Sequence, residues 1–178
     1  MSFPHRLTAE QLRELVDYEP STGKFYWRED AVAGFHGSVV MHRRGDVAGT
    51  PRKSDGRVVV RIGGRTYLGY RLAWLWMTGN WPIYEIDHID GDATNNRFTN
   101  LRDASRRTNQ ENLRIPQRSK GSSRYLGVYA NKPGYKKPWR AAITVKGKQK
   151  NLGYFMSEDE AYAAYVQAKR RLHEGCTL

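Results

Sequence analysis

The sequence is poor in cysteine, and Cys176 is the single one among 178 residues. A lone thiol forms no disulfide within the chain and cannot supply the paired cysteines of a structural zinc site. We therefore expect no structural zinc, so any bound metal must be held by oxygen and imidazole ligands. Cys176 itself lies in a segment that we expect to be frayed, which disfavours it as a nucleophile.

Long apolar runs are also absent, and the longest is Leu72–Met77. A membrane-spanning helix needs about 18 or more consecutive apolar residues. The start of the chain also lacks the charged segment followed by an apolar one that marks a secretion signal. These features argue against a membrane partner and predict an intracellular protein.

Acidic side chains are in the minority, because 30 Lys and Arg stand against 18 Asp and Glu, for a net charge of +12. Clustered cations release the counterions condensed on a phosphate backbone, so this excess favours nucleic acid as the partner. The charge is concentrated in residues 115–178, with 13 basic and 4 acidic side chains, whereas residues 81–114 hold 5 and 6. A near-neutral centre beside a basic region is typical of a metal-dependent enzyme with a separate nucleic-acid anchor.

Local patterns predict the elements of the first part of the chain. Thr8 and Gln11 form a capping box that begins a helix over Leu7–Val16, and Lys24–Arg28 is β-prone. Gly63 and Gly64 make a two-residue turn. The segments on either side therefore predict a β-hairpin, formed by Arg57–Ile62 and Arg65–Leu68.

A buried helix over Arg71–Met77, ended by Gly79, is predicted to follow the hairpin. The aromatic side chains in and after this helix could stack on bases, but core packing is the favoured interpretation for Trp74, Trp76 and Trp81. The Gly-rich segment Ala31–Asp55 is expected to be a long loop with little regular structure.

The centre of the chain crowds a histidine, carboxylates and carboxamides into a short polar segment that begins with Asp87 and His88. We predict a strand at Ile86–Ile89, a returning strand at Phe98–Arg102 and a helix at Ser105–Asn112, which together form a ββα unit. Asn100 follows His88 by 12 positions, and Asn109 follows Asn100 by 9.

These residue types suit phosphodiester hydrolysis. A neutral imidazole can take a proton from water, so His88 is a candidate general base. Asp87 and Asn109 offer the hard oxygen ligands that Mg²⁺ prefers. Asn100 both donates and accepts, so it can tie the loop and hold His88 in one tautomer.

Two alternatives concern the ligands in this segment. Asn112 lies one helical turn from Asn109 and could replace it as a ligand, although the spacing favours Asn109. A calcium loop beginning at Asp90 would need a glutamate at its twelfth position, where Leu101 stands, so that interpretation fails. We therefore interpret the remaining polar residues as loop scaffold, namely Asp90, Asp92, Asn95 and Asn96.

The residues Asp87-His88, Asn100-Leu101-Arg102 and Asn109 resemble the catalytic motif of the HNH endonucleases, in the asparagine-ended variant of phage and intron-encoded homing enzymes. The similarity extends over residues 57–113. It implies that His88 is the general base, that Asp87 and Asn109 hold a divalent metal, and that Asn100 is the middle asparagine of the catalytic motif. Mg²⁺ is the expected ion, with Mn²⁺ as the alternative.

The last part of the chain predicts three short antiparallel strands and a helix. The helix begins after the capping box of Ser157 and Glu160. The strands are Tyr125–Tyr129, Trp139–Val145 and Lys148–Phe155. A polar stretch of residues 116–123 lacks apolar periodicity and is the natural linker before them.

This region resembles the APETALA or ethylene-response-factor DNA-binding domain, through Gly127-Val128, Trp139, Leu152-Gly153 and Glu160-Ala161 among others. The resemblance implies that the sheet enters the major groove of DNA. The target sequence does not transfer, because Leu126 and Tyr129 stand where plant members carry base-reading arginines. The outward-facing candidates for DNA contact are Arg124, Tyr129, Lys132, Trp139, Arg140, Lys146, Lys148 and Lys150.

Together these observations predict an α+β protein with a ββα-metal HNH nuclease core, an N-terminal helix and hairpin, and a C-terminal three-stranded antiparallel sheet packed on one helix. The expected domains are residues 1–114, with the core at about 84–113, a linker at 115–123, and residues 124–178. The predicted function is metal-dependent cleavage of double-stranded DNA by a homing-type nicking enzyme. A monomer is favoured, acting in the cytoplasm of a bacterial host if the gene is carried by a phage.

Two other function classes fit the sequence. A non-catalytic DNA-binding or regulatory protein could carry a degenerate HNH centre, although intact Asp87, His88 and Asn109 argue against it. An RNA-binding protein is compatible with the charge, because the attraction to a phosphate backbone does not by itself distinguish RNA from DNA.

Overall fold

A computed structural model describes residues 6–33, 39–116 and 123–178. These ranges hold α-helices and several small antiparallel sheets, in agreement with the predicted mixture of α and β structure. The contacts divide the chain into two compact units, with the division between Ala104 and Ser105. Within the described ranges, no helix combines the length and the apolar character needed to cross a membrane.

In its described residues the first unit has small antiparallel sheets, two α-helices and a short 3₁₀ helix, Phe98–Asn100, where the returning strand was predicted to begin. The helices are α1 (Ala9–Leu15) and α2 (Gly69–Thr78). The strands are β1 (Val16–Glu19), β2 (Lys24–Trp27), β3 (Ala31–Ala33), β4 (Val39–His42), β5 (Thr50–Pro51), β6 (Val58–Ile62), β7 (Arg65–Leu68), β8 (Glu85–His88) and β9 (Leu101–Ala104). β1 pairs with β2, β3 with β4 and β8 with β9, and β5, β6 and β7 form a three-stranded sheet.

Capping and turn chemistry in this unit follow the sequence patterns. Thr8 and Gln11 make both hydrogen bonds of the capping box that begins α1. Gly63 and Gly64 occupy the turn between β6 and β7 with φ angles of 56° and 79°. Gly79 ends α2 in the left-handed conformation, with φ of 76°. The capping box, the hairpin and the end of α2 at Gly79 are therefore confirmed, while α2 begins at Gly69 rather than at the predicted Arg71.

The prediction of a long loop over Ala31–Asp55 was wrong, because β3, β4 and β5 lie within it. Alternating burial, the usual sign of a strand, is missing here: Val39, Val40 and Met41 are all exposed in β4. β3 and β4 pair with each other, and β5 pairs with β6. Backbone pairing therefore specifies these three strands, rather than an apolar face.

The core of the first unit joins α1 and α2 to the sheets. It contains Leu12 of α1 and Leu72 of α2, and it extends to Ile86 of β8 and Leu101 of β9. The three tryptophans pack against this cluster as partly buried side chains, which confirms core packing for Trp74, Trp76 and Trp81. The β8–β9 hairpin is therefore attached to the main core through its own apolar residues.

The second unit contains α3 (Arg106–Asn112), β10 (Val128–Ala130), β11 (Trp139–Val145), β12 (Lys148–Phe155) and α4 (Glu158–Leu172). The sheet order is β10-β11-β12, and both pairs are antiparallel. Val128, Ala141 and Ile143 of the sheet share a core with residues of α4, namely Ala161, Tyr165 and Ala168. A three-stranded sheet on one helix is thus present as predicted.

The predicted domain limits differ from the division of contacts. Helix α3 was expected to belong to residues 1–114, but its contacts group it with the sheet and α4. Within the predicted linker, residues 117–122 lie outside the described residues. The expectation of a frayed segment around Cys176 was wrong, because neighbouring Gly175 is buried and donates its N–H to Glu111.

A glycine in the second unit offers a test of its packing. Gly127 has φ of 75°, and a Cβ added there would overlap the ring of Tyr165. We expect Gly127→Ala to lower the free energy of unfolding by about 1–3 kcal/mol from overpacking, measured by urea unfolding. This loss is in addition to the cost of about 1–2 kcal/mol for alanine in a left-handed conformation.

Gly147→Ala is the matched control, since Gly147 has φ of 76° but no heavy atom within 4 Å of an added Cβ. It should show the backbone cost alone. Equal losses of stability in the two variants would contradict the packing of Gly127 against Tyr165.

Candidate active site

The candidate site begins at the end of β8, where two adjacent polar side chains are buried. Asp87 is 4% exposed and His88 is 7% exposed. In the β8–β9 register Asp87 lies opposite Arg102, and His88 lies opposite Leu101. Successive side chains of a strand point to opposite faces, so β8 is covered on both sides and its polar groups require partners within the protein.

Arg102 is the partner of Asp87. Its Nε lies 2.8 Å from Oδ2 of Asp87, and its Nη2 lies 2.6 Å from the same oxygen. A buried carboxylate without a partner would be costly, whereas this pairing across the two strands compensates for its loss of water. The ion pair therefore holds the Asp87 carboxylate in one orientation.

His88 is held by a carboxamide. Its Nε2 lies 3.3 Å from Oδ1 of Asn96, and its ring meets that of Tyr70 edge to face, with centroids 5.2 Å apart. Because a carboxamide oxygen can only accept, the contact favours the tautomer with the proton on Nε2 and the lone pair on Nδ1. Burial lowers the pKa of His88, so the ring is kept in the neutral form that a general base requires.

Asn96 is itself fixed by the first unit. It is 2% exposed, and its backbone oxygen accepts a hydrogen bond of 2.6 Å from the hydroxyl of Tyr18. Gly23 approaches so closely that an added Cβ would lie 2.5 Å from the carbonyl carbon of Asn96. The sequence predicted only loop scaffold for Asn96, because nothing in the Asn95-Asn96 pair indicates which carboxamide faces the histidine.

Asn100 ties the loop between β8 and β9. Its Nδ2 donates to Oδ1 of Asp90 at 3.0 Å and to the backbone oxygen of Asn95 at 2.9 Å, and its Oδ1 accepts from the N–H of Asp90 at 2.9 Å. This network is the loop-tying role that the sequence predicted. Asn100 was also expected to hold His88 in one tautomer, but the carboxamide that contacts the His88 ring is that of Asn96.

Asp90 is the hub of that loop. Its Oδ2 accepts from the carboxamide of Asn95 at 2.6 Å, and its Oδ1 accepts from the N–H of Asp92 at 2.8 Å. Burial alone would raise the pKa of Asp90, but the hydrogen bonds from Asn95, Asp92 and Asn100 outweigh it and the pKa is lowered. The Asp90 carboxylate thus stays charged and serves as loop scaffold, as interpreted from the sequence.

The second proposed ligand, Asn109, lies on α3 in the second unit and is half-buried. The alternative ligand Asn112 is 3% exposed, and its Oδ1 accepts from the hydroxyl of Thr177 at 2.6 Å. Asn109 stays the ligand that the sequence spacing predicts, and Asn112 stays the alternative.

The donor chemistry fits a hard divalent cation. Among the described residues, no group of three or more His, Cys, Asp or Glu side chains could hold a metal ion. Mg²⁺ does not need such a cage, because it is usually bound by one or two carboxylates, with water and substrate phosphate completing the shell. The Asp87 carboxylate is compatible with that chemistry, and its pairing with the Asn109 carboxamide stays a prediction from the sequence.

The outer face of the second unit's sheet carries a cross-strand row. Tyr129 of β10 pairs with Arg140 of β11, which pairs with Tyr154 of β12. The Arg140 guanidinium lies 5.3 Å from the centroid of the Tyr129 ring. Tyr154 is 44% exposed and was not predicted, since its place in this row depends on the strand register.

The other predicted DNA contacts divide into three groups. Trp139 packs against the core of the second unit rather than facing outward. Arg124 is paired with Glu158 and Asp159 of α4. The four remaining candidates are exposed, namely Lys132, Lys146, Lys148 and Lys150. However, the strand register places Lys150 opposite Ile143 and Lys148 opposite Val145, on the core side of the sheet.

Comparison with known proteins identifies the class of this site. Residues 69–111, which include Asp87, His88, Asn100 and Asn109, match the family described as HNH endonuclease. The chain therefore contains an HNH endonuclease domain. It is also 36% identical over 104 residues to Protein 3.8 of Escherichia phage T7, a match that covers 56% of this chain and 80% of the relative. The chain belongs to the same family as that phage protein. No solved structure matches it.

The contact between Asn96 and His88 predicts a change of tautomer on mutation. Asn96→Ala removes the acceptor at Nε2, so we expect nitrogen NMR to show His88 losing its preference for the Nε2-protonated form. Orienting partners of this kind are typically worth about 10- to 100-fold in activity, and we expect cleavage to fall by that amount.

Asn95→Ala is the control, because this neighbouring carboxamide contacts Asp90. It should leave the tautomer of His88 unchanged. An unchanged tautomer in Asn96→Ala would show that Asn96 does not orient the ring.

Proposed function

We propose that this protein is a metal-dependent endonuclease that hydrolyses phosphodiester bonds in duplex DNA, as a nicking enzyme of the phage or intron homing type. The observation that carries the proposal is His88, a buried imidazole that contacts the Asn96 carboxamide and stands next to the Asp87 carboxylate. The HNH match over residues 69–111 supports the same chemistry. Because the relative is a phage protein, we propose that the present protein acts inside a bacterial host cell.

In the proposed mechanism, His88 accepts a proton from the attacking water at Nδ1 while Asn96 holds the opposite nitrogen. Arg102 orients the Asp87 carboxylate, and Asn100 ties the loop between β8 and β9 through Asp90 and Asn95. Asp87 and Asn109 would hold Mg²⁺, with Mn²⁺ as the alternative. The cation would stabilise the negative charge on the phosphate and the leaving oxygen.

Duplex DNA would be held by the basic second region of the chain. Residues 115–178 carry 13 basic and 4 acidic side chains, so this region supplies most of the attraction to phosphates. The row of Tyr129, Arg140 and Tyr154 is the surface that we propose for groove contact. A monomer with one histidine base would cut one strand at each encounter.

His88→Ala should abolish the general base and lower the rate of plasmid nicking by about 10²- to 10⁴-fold. DNA binding, measured by gel shift in EDTA, should remain close to that of the wild type. His42→Ala is the matched control, because His42 stacks on Trp27, with ring centroids 3.9 Å apart, and has no part in the proposed chemistry.

Removing the metal with EDTA should stop nicking by the wild-type protein, and added Mg²⁺ should restore it. A wild-type protein that binds DNA but does not nick it with Mg²⁺ or Mn²⁺ would favour a non-catalytic binding protein with a degenerate centre. Normal cleavage by His88→Ala would refute the assigned base.

Arg140→Ala should weaken DNA binding in EDTA and reduce the slope of log affinity against log salt by about 1, because one phosphate contact is lost. Arg124→Ala should have a smaller effect, since Glu158 and Asp159 already pair with that guanidinium. Fluorescence anisotropy over a salt series measures both slopes. Equal effects would argue against the outer row as the binding surface.

A further inference from the structure

Helix α3 has a composition that cannot hold it in place by apolar packing. Its residues, Arg106–Asn112, read RRTNQEN and include no apolar side chain. Isolated helices shorter than about 12–15 residues are marginal in water, and α3 has 7 residues. Its position must therefore depend on polar contacts with the rest of the second unit.

One set of those contacts comes from the segment that follows α4. The N–H of Gly175 donates to Oε2 of Glu111 at 3.1 Å, and Oε1 of the same carboxylate accepts from Nε of Arg107 at 2.9 Å. The Glu111 carboxylate thus joins α3 to a distant part of the chain.

Gly175 also touches the helix backbone. An added Cβ at this position would overlap the carbonyl oxygen of Thr108 and lie 3.0 Å from Cβ of Glu111. Only a residue without a side chain allows the two backbones to approach this closely. The close approach lies one residue before Asn109.

The end of α3 is held by two further groups. The hydroxyl of Thr177 donates to Oδ1 of Asn112 at 2.6 Å and accepts from Nη2 of Arg114 at 2.8 Å. The ammonium of Lys169, which is 1% exposed, donates to the backbone oxygen of Leu113. Cations near the last carbonyls of a helix stabilise its C-terminal end.

We propose that the segment Gly175–Leu178, here named the latch segment, positions α3 and thereby Asn109 for metal binding. Gly175 and Thr177 are positioning residues in this scheme, and they lie outside the HNH match at residues 69–111. The proposal rests on the proposed function, with Asn109 as a metal ligand.

The first test measures α3 directly in metal-free, full-length protein. Gly175→Ala and Thr177→Val should each speed hydrogen exchange of the backbone amides of α3 by at least about fivefold, because each disturbs a buried polar contact. Thr177→Ser keeps the hydroxyl and should exchange like the wild type. Unchanged exchange in α3, or equal acceleration throughout β10, β11 and β12, would overturn the latch.

The second test measures metal and cleavage. Both disruptive variants should need about 10-fold more Mn²⁺ for half-saturation, which electron paramagnetic resonance measures. They should also need about 10-fold more Mg²⁺ for half-maximal nicking. The affinity of both variants for DNA in EDTA should stay within about twofold of that of the wild type, because the variants disturb the position of α3 and not the folding of the protein. Thr177→Ser keeps the hydroxyl, so it should need no more Mn²⁺ or Mg²⁺ than the wild type.

The outcomes separate the two proposals. A wild-type protein that neither binds Mn²⁺ nor nicks DNA would overturn the proposed function. A wild-type protein that does both, with disruptive variants that need no more metal than it does, would overturn the latch alone. Loss of DNA binding in parallel with cleavage would also overturn it, because that result indicates general destabilisation.

Discussion

The ion pair between Asp87 and Arg102 is the constraint on which the candidate site depends. Asp87 is almost fully buried at the end of β8, where an isolated carboxylate would be costly. Arg102 meets it from the opposite position of β9, so strand pairing and charge pairing reinforce each other. With β8 anchored in this way, the adjacent His88 enters an environment poor enough in water to keep its ring neutral.

Around this pair, the site is built from polar contacts that divide into two sets. Asn100, Asp90 and Asn95 close the loop between the strands, while Asn96 reaches the histidine from the far end of that loop. Both sets use short carboxamides, which can donate and accept at once and so satisfy buried groups on either side. The β8–β9 hairpin can thus present chemistry at its end while Ile86 and Leu101 hold it to the core.

The sequence predicted correctly those elements that are determined by residues close to one another in the chain. The capping box at Thr8, the Gly63-Gly64 turn and the sheet-and-helix arrangement of the last region follow from neighbouring residues. It failed over Ala31–Asp55, because the valines of β4 are exposed and leave no alternating pattern. It also placed Trp139 outward, although the tryptophan packs against the second core.

The sequence by itself determined the hairpin with its following helix and the C-terminal sheet with its helix, the excess of basic residues after residue 114 and the HNH-like spacing of His88, Asn100 and Asn109. These are properties of neighbouring residues and of charge, which need no knowledge of distant contacts. Tertiary structure alone decided that Asn96 contacts His88, that Tyr154 joins the row of Arg140, and that Gly175 and Thr177 hold α3. Strand register and packing between distant segments set these contacts, and no local pattern encodes either.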